Sequence, residues 1–245
     1  MKTVLITGAT GGLGLELARH YAPGARLVLL GRKPLAELSD ALFTPQNYCR
    51  CDLSSPECGE VVASFLEHSN ITQLDLLVHN AGVGYYGEVA TQAAESVDEL
   101  LDVNTVAPIR LTHALMPYLK KARGKIVFIS SVAADVPAPD YAVYAATKAA
   151  LNGFARSLRL EQRDTVSVQT LTPGAIRTDM HAKSGVPADA FDTSRFPSAE
   201  EVAAQLYRTI EHRHGDRALG ASTKLLQFAG RYLTDTLDSV IRARR

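Results

Sequence analysis

Thr3-Val4-Leu5-Ile6-Thr7-Gly8-Ala9-Thr10-Gly11-Gly12-Leu13-Gly14 is the stretch that decides the architecture. Its first half is a short apolar run of the kind buried in a parallel strand, and its second half is a glycine-rich turn entering an amphipathic segment near 12–22. Gly8 and Gly12 let the backbone turn tightly, while Gly14 lets a helix pack close to the strand. The free amides of a helix N-terminus would then face an anion such as a pyrophosphate. Glycine spacing alone fits any strand-to-helix turn equally well, so the weight falls on what surrounds it.

Working outward, apolar runs near 3–7, 26–30, 46–51, 74–79, 125–130 and 166–171 alternate with helical patterns near 12–22, 33–42, 56–68, 95–121, 145–162 and 198–213. A last short strand is expected near Arg217–Leu219. This alternation predicts a doubly wound α/β Rossmann fold, three layers α/β/α, with a parallel sheet of six to seven strands. One domain over 1–245 is expected, with a substrate lid near 178–197, polar and Pro-containing from Lys183 to Pro197, and a C-terminal helix near 221–241.

Composition narrows the partners. Formal net charge is zero over 245 residues, with no basic stripe, so nucleic acid is not expected. The chain opens directly on a strand, and no apolar run approaches the roughly 20 residues that span a bilayer, so a cytoplasmic location is the default expectation. Cys49, Cys51 and Cys58 read as reduced thiols, and no metal site is expected, although His68 lies nearby in sequence.

A second constellation carries the chemistry. Ser131 follows a buried strand at its carboxyl end, where open α/β sheets bind ligands, and Tyr144 and Lys148 stand four apart on one helix face. A nearby ammonium lowers a phenol from about 10 toward working pH, which suits a general acid and base. Ser131 would hydrogen-bond the oxygen on which charge develops. Tyr141 competes as a tyrosine of the same segment, but only Tyr144 has a Lys four residues on.

With Thr-Gly-x-x-x-Gly-x-Gly and Tyr-x-x-x-Lys in this order, the sequence resembles the short-chain dehydrogenase/reductase family over residues 1 to about 180. The thirteen-residue step from Ser131 to Tyr144 matches the family, as do Asn80-Ala81-Gly82, Asn104 and Pro173-Gly174. The resemblance implies hydride transfer between a nicotinamide and a carbonyl or alcohol carbon of a moderately hydrophobic small molecule. It makes Asn104, Ser131, Tyr144 and Lys148 catalytic, with Asn104 holding a water that links Lys148 to solvent; read alone, Asn104 fits a kinked helix turn equally well. The dinucleotide would touch Gly8, Thr10, Gly11, Gly12, Leu13 and Gly14, then Asp52 and Leu53 at the adenine and Asn80, Ala81 and Gly82 at the ribose. Tyr144 and Lys148 would meet the nicotinamide ribose, and Pro173, Gly174, Ile176 and Thr178 the carboxamide. Asp52 also suits a helix cap.

Cofactor choice is read at Leu30-Gly31-Arg32-Lys33. NAD users place an acidic residue at the end of the second strand; here Gly31 stands in its place and Arg32 offers a fork for a 2′-phosphate, which favours NADP(H) over NAD(H). Against this, Gly11 stands where many NADP users carry Arg or Lys.

Two departures follow. His79 replaces a more usual Asn and reads as structural. The C-terminus lacks the family's usual strand and Gly-rich tail. The helix there carries Leu226, Ala229, Leu233, Leu237 and Val240 on one face, for core or dimer packing ahead of membrane contact through Arg242, Arg244 and Arg245. A homodimer through the helices near 95–121 and 145–162 is expected, a tetramer being the alternative. The pocket above Tyr144 is expected to be lined by Ala133, Val136, Tyr141, Tyr85, Tyr86 and Met180, with Arg177 and Lys183 as the only cations within reach. Two other classes share the fold: nucleotide-retaining epimerases or dehydratases, and non-catalytic dinucleotide-binding regulators.

Overall fold

The computed structural model describes residues 1–187, 190 and 192–243. Alternation along the buried strands explains its layers. In β1 (Lys2–Thr7), Leu5 points to one face of the sheet while Val4 and Ile6 point to the other. Both faces are apolar, so both are covered. The first carries α2 (Cys58–His68), α4 (Ala107–Ala122) and α5 (Ala142–Glu161) through Val62, Leu66, Leu111, Leu115 and Leu151. The second carries α1 (Gly12–Tyr21) and α7 (Ala199–His212) through Leu17, Tyr21, Leu206 and Ile210.

The sheet has seven strands in the order β3-β2-β1-β4-β5-β6-β7, every pairing parallel. Besides β1 they are β2 (Ala25–Gly31), β3 (Tyr48–Arg50), β4 (Leu76–His79), β5 (Lys125–Ile129), β6 (Ser167–Thr172) and β7 (Arg217–Ala218). This is the doubly wound Rossmann arrangement. Winding proceeds outward from β1 to β3, then restarts at β4 on the other side, so the crevice between the carboxyl ends of β1 and β4 is the switch point where such sheets bind ligands.

Three helices differ from expectation. Residues 33–42 form no α-helix, only a 3₁₀ turn at Leu35–Glu37; Pro34 precedes it, and Leu35, Leu38, Leu42 and Phe43 pack against the second core without a helix. The long helix near 95–121 is broken in two: α3 (Ala94–Leu101) leads through a wide π turn at Asp102–Val106 into α4. The C-terminal helix is split at Leu233, whose φ of −128° and ψ of 40° are not helical, into α8 (Ala221–Tyr232) and α9 (Thr234–Arg242). Leu226, Leu233 and Val240, expected to pack inward or against a second copy, stand 43–50% exposed.

The stretch expected to form a lid contains α6 (Met180–Lys183) and a 3₁₀ turn at Thr193–Arg195; residues 188, 189 and 191 of it, and Arg244 and Arg245, lie outside the described residues. The three cysteines are free and buried in the first core, and burial pushes the thiols of Cys49 and Cys51 up to about 11 and 12. Among the described residues, no helix is long and apolar enough to cross a membrane, and no three His, Cys, Asp or Glu cluster as metal ligands.

Candidate active site

The glycine turn after β1 is held by its neighbour across the switch point. Thr7 Oγ1 accepts the backbone amides of Asn80 and Ala81, each at 3.0 Å, and Asn80 Nδ2 donates back to the Thr7 carbonyl at 3.0 Å. The two loops therefore press together. Gly8 has φ +67°, and a Cβ there would come within 2.8 Å of Ala81 Cα. A Cβ on Gly14 would overlap the Gly8 carbonyl oxygen and reach 2.5 Å from Asn80 Nδ2. Above Gly11, by contrast, nothing lies within 4 Å, and the first-turn amides of α1 have no side-chain cap. Open space in front of uncapped amides fits a diphosphate. Thr178 lies over Gly12, its Cγ2 3.6 Å from where a Cβ would be, so the turn after β6 roofs this site. The side chain of Leu13 points into the second core, which leaves only its backbone to the loop, and Ile176 packs against the same cluster.

At the end of β2, a Cβ on Gly31 would overlap the Thr10 methyl and stand 2.9 Å from the Tyr48 hydroxyl, so no acidic side chain fits there. The Arg32 guanidinium is exposed and pairs with Glu99 of α3 at 3.2 Å. Asp52 accepts from the amide and hydroxyl of Ser54 at 3.0 and 2.8 Å, bonds that hold its carboxyl below the ordinary range. Leu53 packs half-buried against the first core. Arg50, which sequence reasoning passed over, ends β3 directly opposite Gly31.

The π turn explains the position of Asn104. It rotates this side chain, 1% exposed, toward the cleft, where Oδ1 accepts the Val83 amide and Nδ2 donates to the Val83 carbonyl, both at 2.9 Å. Nδ2 also donates to Thr147 Oγ1 at 3.1 Å, and that hydroxyl donates to the Tyr144 carbonyl at 2.7 Å. Thr147 is fully buried and was not singled out in the sequence, because a Thr inside a helix carries no signal there. Asn104 thus ties the loop after β4 to the helix that carries Tyr144 and Lys148.

Lys148 is buried, and its Nζ donates to the Ile129 carbonyl at 3.1 Å, beside the strand end that leads to Ser131. Burial pulls its pKa down to about 8. The ammonium lies 5.9 Å from the centre of the Tyr144 ring. Tyr144 corrects an expectation: burial raises its phenol above the ordinary value, and the Ser131 hydroxyl offsets this only in part. Ser131 Oγ also accepts the Ala133 amide at 3.2 Å, which fixes the hydroxyl at the strand end. His79 lies behind the site, stacked on Phe128 and bonded to Thr112 at 3.0 Å, with burial holding it down to about 3.

On the substrate side, Tyr86 stacks edge-on against Tyr141 at 5.3 Å, and Tyr141 against Tyr144 at 6.0 Å. The Tyr86 amide donates to the Ser184 carbonyl at 2.7 Å, and Gly84 leaves no room for a Cβ against Ser184, so the C-terminal end of α6 lies closely on the loop after β4. Ala133, Val136, Tyr85 and Met180 are half-buried around this wall. Arg177 and Lys183 are exposed, Lys183 lying 3.7 Å from Asp179. Asp135, four residues past Ser131, is held by Arg231 at 2.7 Å and by Gln227 at 2.8 Å, which anchors α8 to the same loop.

Comparison with known proteins agrees with this arrangement. Residues 2–187 match the family model for short chain dehydrogenase. Rat dehydrogenase/reductase SDR family member 7B is 33% identical over 227 residues, covering 85% of this chain and 67% of that protein, so the chain spans about two thirds of that relative's length. The 11-beta-hydroxysteroid dehydrogenase-like 3 of Arabidopsis thaliana is 33% identical over 219 residues, covering 85% of this chain and 70% of that protein. Among solved structures, a short-chain dehydrogenase from Sphingobium yanoikuyae in complex with NADPH superposes with a TM-score of 0.78 at 26% identity, covering 99% of this chain and 94% of that one. The chain belongs to the short-chain dehydrogenase/reductase family of oxidoreductases.

Proposed function

We propose that this chain is an NADP(H)-dependent oxidoreductase that interconverts a carbonyl and an alcohol on a moderately hydrophobic small molecule, acting as one Rossmann-type unit. The carrying observation is the convergence of Ser131, Tyr144 and Lys148 beside an open glycine loop at the switch point of the sheet. When bound, the dinucleotide supplies or accepts the hydride. Ser131 and Tyr144 would hold the reacting oxygen, with Tyr144 giving its proton in reduction and taking one in oxidation. A buried phenol with a raised pKa keeps its proton at neutral pH, which suits reduction. Lys148 would hold the nicotinamide ribose, and a water at the π turn beside Asn104 would return the proton to Lys148 from solvent.

NADP(H) is favoured because Gly31 excludes a carboxylate and Arg32 stands next to it. Solved neighbours are complexed with NADPH and with NADH, so the fold does not choose. The tyrosine-rich wall supports an apolar substrate, in keeping with the hydroxysteroid dehydrogenase-like name of one relative. Exposed Ala146 and Ala149 leave a flat outer face on α5, on which we base a homodimer.

The test is cofactor consumption, NADPH against NADH, over aldehydes, ketones, diketones, quinones and steroids. NADPH-preferred turnover is the expected result, and Arg32→Asp should shift the preference toward NADH. Conversion of substrates with no net change in NADPH would overturn the redox reading in favour of a nucleotide-retaining epimerase or dehydratase.

A further inference from the structure

A 2′-phosphate carries close to two negative charges at neutral pH. Against it the end of β2 offers one guanidinium, that of Arg32, with the ammonium of Lys33 next to it, since Gly11 supplies no cation from the glycine loop. Arg32 is moreover already paired with Glu99 at 3.2 Å. One exposed and partly neutralised guanidinium is a thin match for that anion.

The register of the sheet brings a second one. β3 lies beside β2 with Arg50 opposite Gly31, and Arg50 Nε donates to the Arg32 carbonyl at 3.2 Å. That bond fixes the guanidinium beside the backbone turn where an acidic residue would otherwise read the ribose. The Tyr48 hydroxyl steadies the same turn from below by donating to the Lys33 carbonyl at 2.6 Å. Arg50 is exposed, and among the described residues its terminal nitrogens hold no acceptor and no carboxylate pairs with it. A planar fork with donors to spare is suited to phosphate oxygens.

We infer that Arg50 is a specificity-determining residue that clamps the 2′-phosphate of NADP(H) together with Arg32. The inference rests on the NADP(H) reading above. The bound phosphate takes the place of Glu99 on Arg32, because a dianion between two guanidinium groups outcompetes one exposed carboxylate on a single one. The arrangement also explains how the chain can carry Gly11 in the loop and still bind the phosphate, since the missing charge enters from the adjacent strand.

The test uses binding alone, with the adenosine half of the cofactor as probe: calorimetric titration of the full chain with 2′,5′-ADP and with 5′-ADP. Arg50→Ala is expected to weaken 2′,5′-ADP roughly tenfold, a typical loss for one charge-assisted contact, and to leave 5′-ADP unchanged. Arg50→Lys should keep most of the difference, because it keeps the charge. Equal weakening of both probes by Arg50→Ala would overturn the inference in favour of a backbone-bracing role. Unchanged 2′,5′-ADP affinity in Arg50→Ala, with that affinity lost in Arg32→Ala, would overturn it while leaving the NADP(H) reading intact. Wild-type protein that binds 2′,5′-ADP no better than 5′-ADP would overturn both.

Discussion

The two sides of the cleft are built by opposite means. On the nucleotide side, backbone sets the shape: Gly8 meets Ala81 and Gly14 meets the Gly8 carbonyl backbone to backbone, and Gly31 lies under the Thr10 methyl, all too closely for a methyl group. On the substrate side, side chains do the work, with three tyrosines stacked edge to edge and a C-terminal helix pair that leaves Leu225, Phe228 and Tyr232 at 55–70% exposure. A surface made of backbone accepts one shape of ligand and tolerates little change. A surface made of side chains can be altered residue by residue, which is how one fold serves many substrates.

The sharpest test falls on the seam between the two sides. Tyr144→Phe removes one oxygen and is expected to lower turnover about a thousandfold, within the usual range for a lost general acid, while NADPH affinity stays within about twofold. Tyr141→Phe belongs to the substrate wall, and its hydroxyl has no partner among the described residues. It should retain turnover and change which substrates are preferred. If Tyr141→Phe were the inactive variant and Tyr144→Phe the active one, the acid–base assignment would fall.

Within the nucleotide loop, Gly14→Ala and Gly11→Ala separate packing from sequence pattern. A methyl at 14 overlaps the Gly8 carbonyl and should lower stability by about 3 kcal/mol or prevent folding, the upper range for overpacking. A methyl at 11 meets nothing within 4 Å in an extended backbone, so its urea midpoint should match wild type and only dinucleotide affinity should drop. Equal destabilisation by both would mean that the loop is not held as described.

Behind the site, His79 gives a pH signature. Unfolded, it gains a proton below about 6.5, whereas burial holds it neutral down to about 3. Between those values the unfolded state binds the extra proton, so stability falls as pH drops through that window. His79→Asn should remove roughly 2–3 kcal/mol of the loss between pH 7 and pH 4, read from urea midpoints of both proteins. Parallel pH curves for the two would show that His79 reaches solvent.

How much of this was legible depends on how local each feature is. The strands were plain, because apolar runs at fixed positions mark them, and Ser131, Tyr144 and Lys148 followed from a strand end and a four-residue helical step. Asn104 was visible by resemblance, but the π turn that aims it was not, since residues 95–121 keep a helical pattern throughout and Pro108 is tolerated at a helix start. Residues 33–42 misled for the converse reason: leucines at helical spacing found a core without a helix. Arg50 and Glu99 act on Arg32 from 18 and 67 residues away, and only strand register and helix packing bring them there.

The smallest effect is expected farthest from the glycine loop. α9 packs chiefly on α8, has no fully buried residue, and turns the Asp238 carboxylate inward without a partner for one oxygen, so it contributes little to the fold. α8 differs, because Arg231 and Gln227 hold Asp135 and Gly230 lies directly on the Asp135 carbonyl. Ending the chain after Leu233 should therefore move the melting temperature by less than about 3 °C, as for other changes outside a core. Ending it before Ala221 should free the loop that carries Ser131 and lower turnover more than it lowers dinucleotide affinity. A large loss of stability on removing α9 alone would show that its exposed Val240 is covered in solution, and the contrast between a rigid nucleotide side and an adaptable substrate side would then stop at α8.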